Sequence, residues 1–314
     1  MIVTVTLNPS LDQTLEVDSL VRGGINKTEH PRRDPGGKGV NVARALTTNG
    51  VPAVAVLPAG GLIGDALVSL LVGQGVAAEV VRIAGMTRAN VTVIEADGTT
   101  TKLNEPGPTL SERELDAVLA AVAARVGAAG WIVAGGSLTP GLDATVYARL
   151  AATAAEHGAR LAVDTSGPAL RESLAYHPDL VKPNAAELAE AVGRDLRTLG
   201  DVVAACGELR SLGARSVLCS LGGDGALLVD DGSAWLARGP RVTVVNTVGA
   251  GDAMLAGALY AGGVGPDALR TGVAWATAAV ATTGTGVPVR DAVHLDSVEL
   301  TTDFDPAHPL TEEN

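Results

Sequence analysis

Aromatic side chains are nearly missing from this sequence. Of 314 residues, one is phenylalanine, three are tryptophan and three are tyrosine. A core without large rings has to be filled by Ala, Val, Leu and Gly packed closely, as helices against a parallel sheet allow. The same shortage removes the stacking platforms that single-stranded nucleic acid requires. Basic clusters are missing too, and the net charge is −12. That balance argues against a phosphate backbone as partner, and leaves any anionic substrate to a few local Lys and Arg residues. The only cysteines are Cys206 and Cys219. Two cannot make a disulfide framework, and neither has His or Cys neighbours at zinc spacing, so both read as core thiols in a reducing compartment. No uncharged apolar stretch reaches about twenty residues. The N-terminal run lacks the positive region and cleavage site of a signal peptide. A soluble, cytoplasmic protein with no nucleic-acid and no membrane partner is expected.

What is present is a rhythm of short apolar runs and helical stretches. Ile2 to Leu7 reads as a buried strand stopped by Asn8-Pro9, and Gly36, Gly37 and Gly39 lead into a helix that ends at Gly50. Ala53 to Leu57 is a second buried strand, followed by a helix from about Asp65 to Gln74. Ser111 with Glu114 three residues on forms a capping box for a helix reaching about Val126. Trp131 to Ala134, Arg160 to Asp164, Leu180 to Lys182 and Val217 to Ser220 are further strands between helices. Such alternation predicts βαβ units and a parallel sheet covered on both faces.

Two stretches break the rhythm. Leu11 to Asp34 alternates apolar and polar residues, and Asn90 to Leu103 reads as two strands around an Asp97-Gly98 turn. Together they predict a small antiparallel sheet, a lid over segments 11–34 and 88–104 that closes a site and excludes water. No internal repeat, low-complexity tract or Pro/Ser-rich linker interrupts the chain. One domain over 1–314 with this lid is expected.

The richest stretch for chemistry runs from Val245 to Met254. A β-branched run, Arg241 to Val245, reads as a strand feeding Gly249-Ala250-Gly251 and then an Ala-rich helix. A strand–turn–helix junction aims backbone N–H groups and a positive helix end at one point. Asp252 falls in the first turn of that helix, beside the anion-binding point. A carboxylate there suits a reaction in which a hydroxyl loses a proton and gains a phosphoryl group, with Asp252 as base and Gly249, Ala250 and Gly251 as N–H donors. The helix end is expected to keep Asp252 ionised. Gly36-Gly37-Lys38-Gly39 lacks the spacing of a P-loop, and Gly249-x-Gly251 lacks the third glycine of a dinucleotide fingerprint.

Seven motifs in order resemble the phosphofructokinase-B, or ribokinase-like, carbohydrate kinases, in the branch of 1-phosphofructokinases and tagatose-6-phosphate kinases. They are Thr6-Leu7-Asn8-Pro9 with Asp12, Gly36 to Arg44 (GGKGVNVAR), Thr87 to Val91 (TRANV), Leu103 to Pro108 (LNEPGP), Asp164 to Gly167 (DTSG), Lys182 to Glu187 (KPNAAE) and Asn246 to Asp252 (NTVGAGD). The resemblance runs essentially end to end. It implies an α/β, ribokinase-like three-layer fold: a mostly parallel central sheet flanked by helices, with a small antiparallel β lid. It implies ATP and Mg²⁺ as cofactors.

By the same resemblance Asp12, Gly37, Lys38 and Asn41 meet the sugar. Asn184 and Glu187, three apart at a helix start, organise Mg²⁺ and its waters. Ser220, Gly222, Gly223 and Gly225 form the nucleotide-side loop, and Ala279 to Gly286 resembles the adenine pocket. Arg88 and Lys102 lie at the start and end of the lid hairpin, where opposite ends of antiparallel strands meet. Each alone reads as a surface charge, but a pair there suits a phosphate already on the acceptor. The expected reaction is ATP-dependent phosphorylation of fructose 1-phosphate to fructose 1,6-bisphosphate. Tagatose 6-phosphate and fructose 6-phosphate stay open as acceptors, followed by an unphosphorylated sugar or nucleoside, and by a non-catalytic sugar-phosphate sensor. Asn246 stands where many members of the family carry Asp. Lid sheets of this fold often pair between subunits, so a homodimer through the lid stays open.

Overall fold

The computed structural model describes residues 1–28, 31–128, 130–282 and 292–311. It opens with β1 (Ile2–Val5), β2 (Ser10–Val17), β3 (Arg32–Gly36) and α1 (Lys38–Thr48). Next come β4 (Ala53–Ala59), α2 (Gly61–Gly73), β5 (Ala78–Arg82), β6 (Arg88–Glu95) and β7 (Thr100–Asn104). The middle holds α3 (Glu112–Arg125), β8 (Trp131–Gly135), α4 (Thr145–Glu156), β9 (Arg160–Asp164) and α5 (Pro168–Ser173). Then follow β10 (Leu180–Val181), α6 (Ala185–Val192), α7 (Leu199–Ser211), β11 (Ser216–Ser220), β12 (Ala226–Asp230) and β13 (Ser233–Arg238). The chain finishes with α8 (Ala250–Tyr260), α9 (Gly265–Val280) and β14 (Glu299–Thr301).

The main sheet has the order β14-β13-β12-β11-β10-β9-β8-β1-β4-β5. From β11 to β5 every pairing is parallel, while β12, β13 and β14 add antiparallel strands at one edge. Both faces are covered, so the inner strands are continuous apolar runs: all of β1 and β8 is buried. One face packs α3, α4, α6 and α7 through Val118, Leu150, Leu188 and Val202. The other packs α1, α8 and α9 through Leu46, Leu255 and Trp275. Trp275 is the largest fully buried side chain, and its ring stacks on Tyr260 at 5.7 Å. Tyr147 and Trp131 are also buried, and the rest of the interior is mostly aliphatic, as the shortage of aromatics requires. The Ser111–Glu114 capping box starts α3. Cys206 on α7 and Cys219 on β11 are both buried and free. Among the described residues no helix is long and apolar enough to cross a membrane.

The lid sheet has the order β3-β2-β6-β7 and is mixed, not antiparallel as expected. β3 and β7 run antiparallel to their neighbours, but β2 and β6 are parallel, with Asp12 opposite Asn90. The reason lies in the main sheet. β1 and β5 point the same way there, and β2 and β6 continue from their C-terminal ends, so the two leave side by side in one direction.

A second expectation fails at the run Arg241 to Val245, which forms no strand. Both edges of β13 are taken, by β12 and β14, so the run cannot pair back on the strand that precedes it. Val244 and Val245 are exposed, and the N–H groups of Val245 and Asn246 donate to the Val280 carbonyl instead. Turn and helix are as expected, but an irregular segment leads into them. Residues 302–311 run along the start of α7, and the Thr311 hydroxyl and N–H bond Asp224.

Candidate active site

The site sits outside the carboxyl ends of β1, β9, β10 and β11, where open α/β sheets place their ligands. Gly249 caps α8 at φ 83°, a left-handed conformation that glycine adopts without strain. It starts a helix whose first N–H groups have no intrahelical acceptors: that of Ala250 donates back to the Thr247 carbonyl at 3.3 Å, and those of Gly251 and Asp252 follow it in the first turn. Asp252 lies in that turn and is 8% exposed.

An alternating string of four charged groups runs up to it. Glu187 Oε1 accepts from Lys38 Nζ at 3.1 Å, and Lys38 Nζ also donates to Asp164 Oδ1 at 2.7 Å. Lys182 Nζ pairs with Asp164 Oδ2 at 3.1 Å. Asp164 is fully buried, so it needs both cations. A Cβ added to Gly251 would come within 3.3 Å of Lys182 Nζ, which puts that ammonium against the first turn of α8. Burial alone would lower the Lys38 value, but the carboxylates of Asp164 and Glu187 outweigh it and hold the ammonium above its usual range. At Asp252 burial works against the expected effect of the helix end. Burial pushes its carboxyl up to about 6, aided by the Asp164 charge, while Lys182, the Asn41 amide and Lys38 pull it down. Desolvation outweighs the helix end here, yet most of the group stays ionised at neutral pH.

Lys38 therefore reaches toward Asp164 and Glu187, between the expected sugar and metal positions. Asn41 instead touches Asp252: its Nδ2 donates to Asp252 Oδ2 at 2.8 Å. Gly36 and Gly37 let the chain pass tightly from lid to helix. A Cβ on Gly36 would fall 2.2 Å from Asp12 Oδ2, and Gly37 has φ 118°. Asp12 Oδ1 accepts from Ser10 Oγ at 2.7 Å and from Asn90 Nδ2 at 2.9 Å.

Arg88 is held by carbonyls rather than by charge. Its Nη2 and Nε donate to the Asn8 carbonyl at 3.0 and 3.2 Å, and its Nη1 to the Glu105 carbonyl at 3.1 Å. Asn8 is itself fixed by bonds from Nδ2 to the Pro106 carbonyl and to Ser137 Oγ. Lys102 is not beside Arg88. It lies opposite Thr92, four residues along β6, a separation of about 13 Å at the usual strand rise. Register still puts both on the lid face that carries Asp12 and Asn90.

On the other side, Asn184 and Glu187 form a capping box at the start of α6, with Asn184 Oδ1 accepting from Glu187 N at 2.7 Å and Glu187 Oε2 from Asn184 N at 2.9 Å. Asn184 and Ser220 are bridged between neighbouring strand ends, so the loop of Ser220, Gly222, Gly223 and Gly225 adjoins this pair. Gly222 and Gly223 are exposed and offer bare backbone. Each Glu187 oxygen keeps acceptor capacity beyond its one bond. That suits a cation that retains its waters and rests mainly on phosphates, as Mg²⁺ does. Of the expected adenine segment, residues 283–286 lie outside the described residues.

The sequence reading gave Lys182, Asp164, Asn90, Asn8 and Ser137 no individual role. Lys182 and Asp164 stand inside quoted motifs, but their pairing between the ends of β9 and β10, against the start of α8, shows only in three dimensions.

Residues 5–292 match the pfkB family carbohydrate kinase model, and the chain belongs to that family. It is 42% identical over 277 residues to a 1-phosphofructokinase of Rhodobacter capsulatus, covering 86% of each chain. It is 39% identical over 308 residues to one of Haloferax volcanii, covering 96% of this chain and 99% of the other. The structure superposes on phosphofructokinase-2 of Escherichia coli in complex with fructose-6-phosphate with a TM-score of 0.85 and 34% identity, covering 93% and 96% of the two chains.

Proposed function

We propose that this chain transfers the γ-phosphoryl group of ATP to the 6-hydroxyl of fructose 1-phosphate, giving fructose 1,6-bisphosphate and ADP. The observation that carries it is Asp252, held by Asn41 at the N-terminal turn of α8 with Lys182 alongside. Asp252 takes the proton of the 6-hydroxyl as that oxygen bonds the γ-phosphorus and the bond to the β-phosphate oxygen breaks. Lys182 and the N–H groups of Gly249, Ala250 and Gly251 meet the negative charge on the transferring group. Asp12 and Asn41 orient the sugar. Ser220, Gly222, Gly223 and Gly225 line the nucleotide. Mg²⁺ supplies further charge neutralisation on the phosphates, and Asn184 and Glu187 would hold it through its waters.

A phosphate already on the acceptor is supported by Arg88. Two carbonyls fix its guanidinium at the lid's edge, and among the described residues no carboxylate forms an ion pair with it, though the charges of Asp12 and Glu105 act on it from further off. Likeness to two 1-phosphofructokinases supports the 1-phosphate. We assign the protein to the cytoplasm and propose a homodimer through the lid; self-association within the family is supported by the tetrameric inhibited form of Escherichia coli phosphofructokinase-2. An ADP-release assay with fructose 1-phosphate, fructose 6-phosphate, tagatose 6-phosphate and fructose tests the reading. The highest kcat/KM is expected with fructose 1-phosphate. Preference for fructose would overturn the phosphosugar assignment, and no turnover of any would support a sensor.

A further inference from the structure

Arg44 lies on α1 and is 6% exposed, in a protein otherwise sparing with buried charge. Its guanidinium reaches three elements at once. Nε donates to Gln74 Oε1, just past α2, at 2.7 Å. Nη1 donates to the Pro35 carbonyl of lid strand β3 at 3.4 Å and to Asn41 Oδ1 at 3.3 Å. Nη2 lies 3.8 Å from Asp34 Oδ1 on the same lid strand.

The contact with Asn41 fixes a choice. An asparagine amide has one accepting and one donating end, and the two can exchange by a flip. Arginine only donates, so it selects Oδ1. That leaves Nδ2 turned to Asp252 Oδ2, where it is found at 2.8 Å. The contact with Asp34 fixes a second arrangement. Asp34 stands directly opposite Asp12 between β3 and β2. Like charges facing across strands repel. The buried Arg44 guanidinium beside them offsets that repulsion, and Asp12 is the carboxylate assigned to the sugar.

We propose that Arg44 is a positioning residue that ties lid strand β3 to the catalytic base, through Asn41 on one side and Asp34 on the other. A shift of β3 on sugar binding is then felt at Asn41 and hence at Asp252, so that the base is aligned only when the lid is seated. The inference rests on Asp252 being the base. The charged groups acting on Asp252 are Asp164, Lys182 and Lys38, with Arg44 from the lid side.

The test compares Arg44→Met, Arg44→Lys and Asp34→Asn, with thermal melts to establish folding. Arg44→Met is expected to lower kcat about 10- to 100-fold, as small misplacements of a reacting group do, with KM for ATP unchanged. The acid limb of its kcat–pH profile should move to higher pH, because a cation near Asp252 has gone. Arg44→Lys should restore the limb but not the rate, since an ammonium keeps the charge and loses the fork. Asp34→Asn should raise KM for the phosphosugar severalfold and leave KM for ATP alone. If Arg44→Met does not fold, Asp34→Asn decides. The proposal is overturned if kcat and the acid limb stay at wild-type values in Arg44→Met, or if Asp34→Asn leaves sugar KM unchanged. If Asp252→Asn, with Arg44 intact, keeps a tenth or more of wild-type turnover, the base assignment itself fails, and this inference with it.

Discussion

Asn41 Nδ2 donates to Asp252 Oδ2 at 2.8 Å, joining residues 211 apart in the chain. The bond holds the carboxylate in place and favours its ionised form, against a burial that favours the neutral one. Asp252 must be ionised to accept a proton, so kcat should fall as pH drops below about 6. Asn41→Leu removes the stabilising donor, and the acid limb should move to higher pH. A kcat–pH profile of both proteins with saturating sugar checks this. An unchanged limb would mean that another group titrates.

The same shift predicts a stability effect with an unusual sign. The folded protein holds the Asp252 proton more tightly than the unfolded chain, whose value is near 3.8. Stability from this group is therefore greatest at low pH, declines as pH rises from about 4 to about 6, and stays reduced above that. Asp252→Asn is neutral at every pH. It should melt at a higher temperature than wild type at pH 8, with the gap closing toward pH 4. A lower melting temperature at pH 8 would contradict the buried-charge reading.

Asp164 binds two lysines from opposite sides and is fully buried. Asp164→Ala leaves Lys182, 4% exposed, without its counter-ion. Removing one member of a buried pair costs about 3–5 kcal/mol. Urea denaturation should show a loss of that size. A loss below about 1 kcal/mol, the range of exposed pairs, would mean that solvent reaches the cluster.

Arg88 and Lys102 should differ as substrate contacts. Arg88 is fixed at the edge of the site by two carbonyls. Lys102 is exposed and makes no hydrogen bond or ion pair with any described residue, so ordering it costs side-chain entropy. Arg88→Ala should raise KM for the phosphosugar by about tenfold or more, as loss of a charge-assisted bond does, and Lys102→Ala by less. Steady-state kinetics of the two variants decide. Equal KM for wild type and Arg88→Ala would remove Arg88 from the phosphate.

The main sheet was legible because its strands are continuous apolar runs and its helices carry local signals, such as Ser111 with Glu114. The Asp97-Gly98 turn likewise marked a hairpin. What stayed hidden depended on partners far away in sequence. The direction of β2 against β6 is set by where β1 and β5 end. The run from Arg241 to Val245 has strand chemistry, but the strand before it, β13, already has β12 and β14 on its two edges. Hairpin order suggested that Arg88 and Lys102 meet, whereas register puts Lys102 opposite Thr92. The charge on Asp252 shows the same limit. A helix N-terminus is visible in sequence and lowers a carboxylate, but the desolvation that raises it depends on the packed surroundings.

The most direct test is turnover of Asp252→Asn with ATP and fructose 1-phosphate, alongside nucleotide binding by titration calorimetry. A lost general base lowers kcat by about 10²–10⁴-fold, and nucleotide affinity should stay near wild type because the Ser220 to Gly225 loop is untouched. A variant that binds nucleotide and still retains a tenth of wild-type kcat would contradict the role assigned to Asp252.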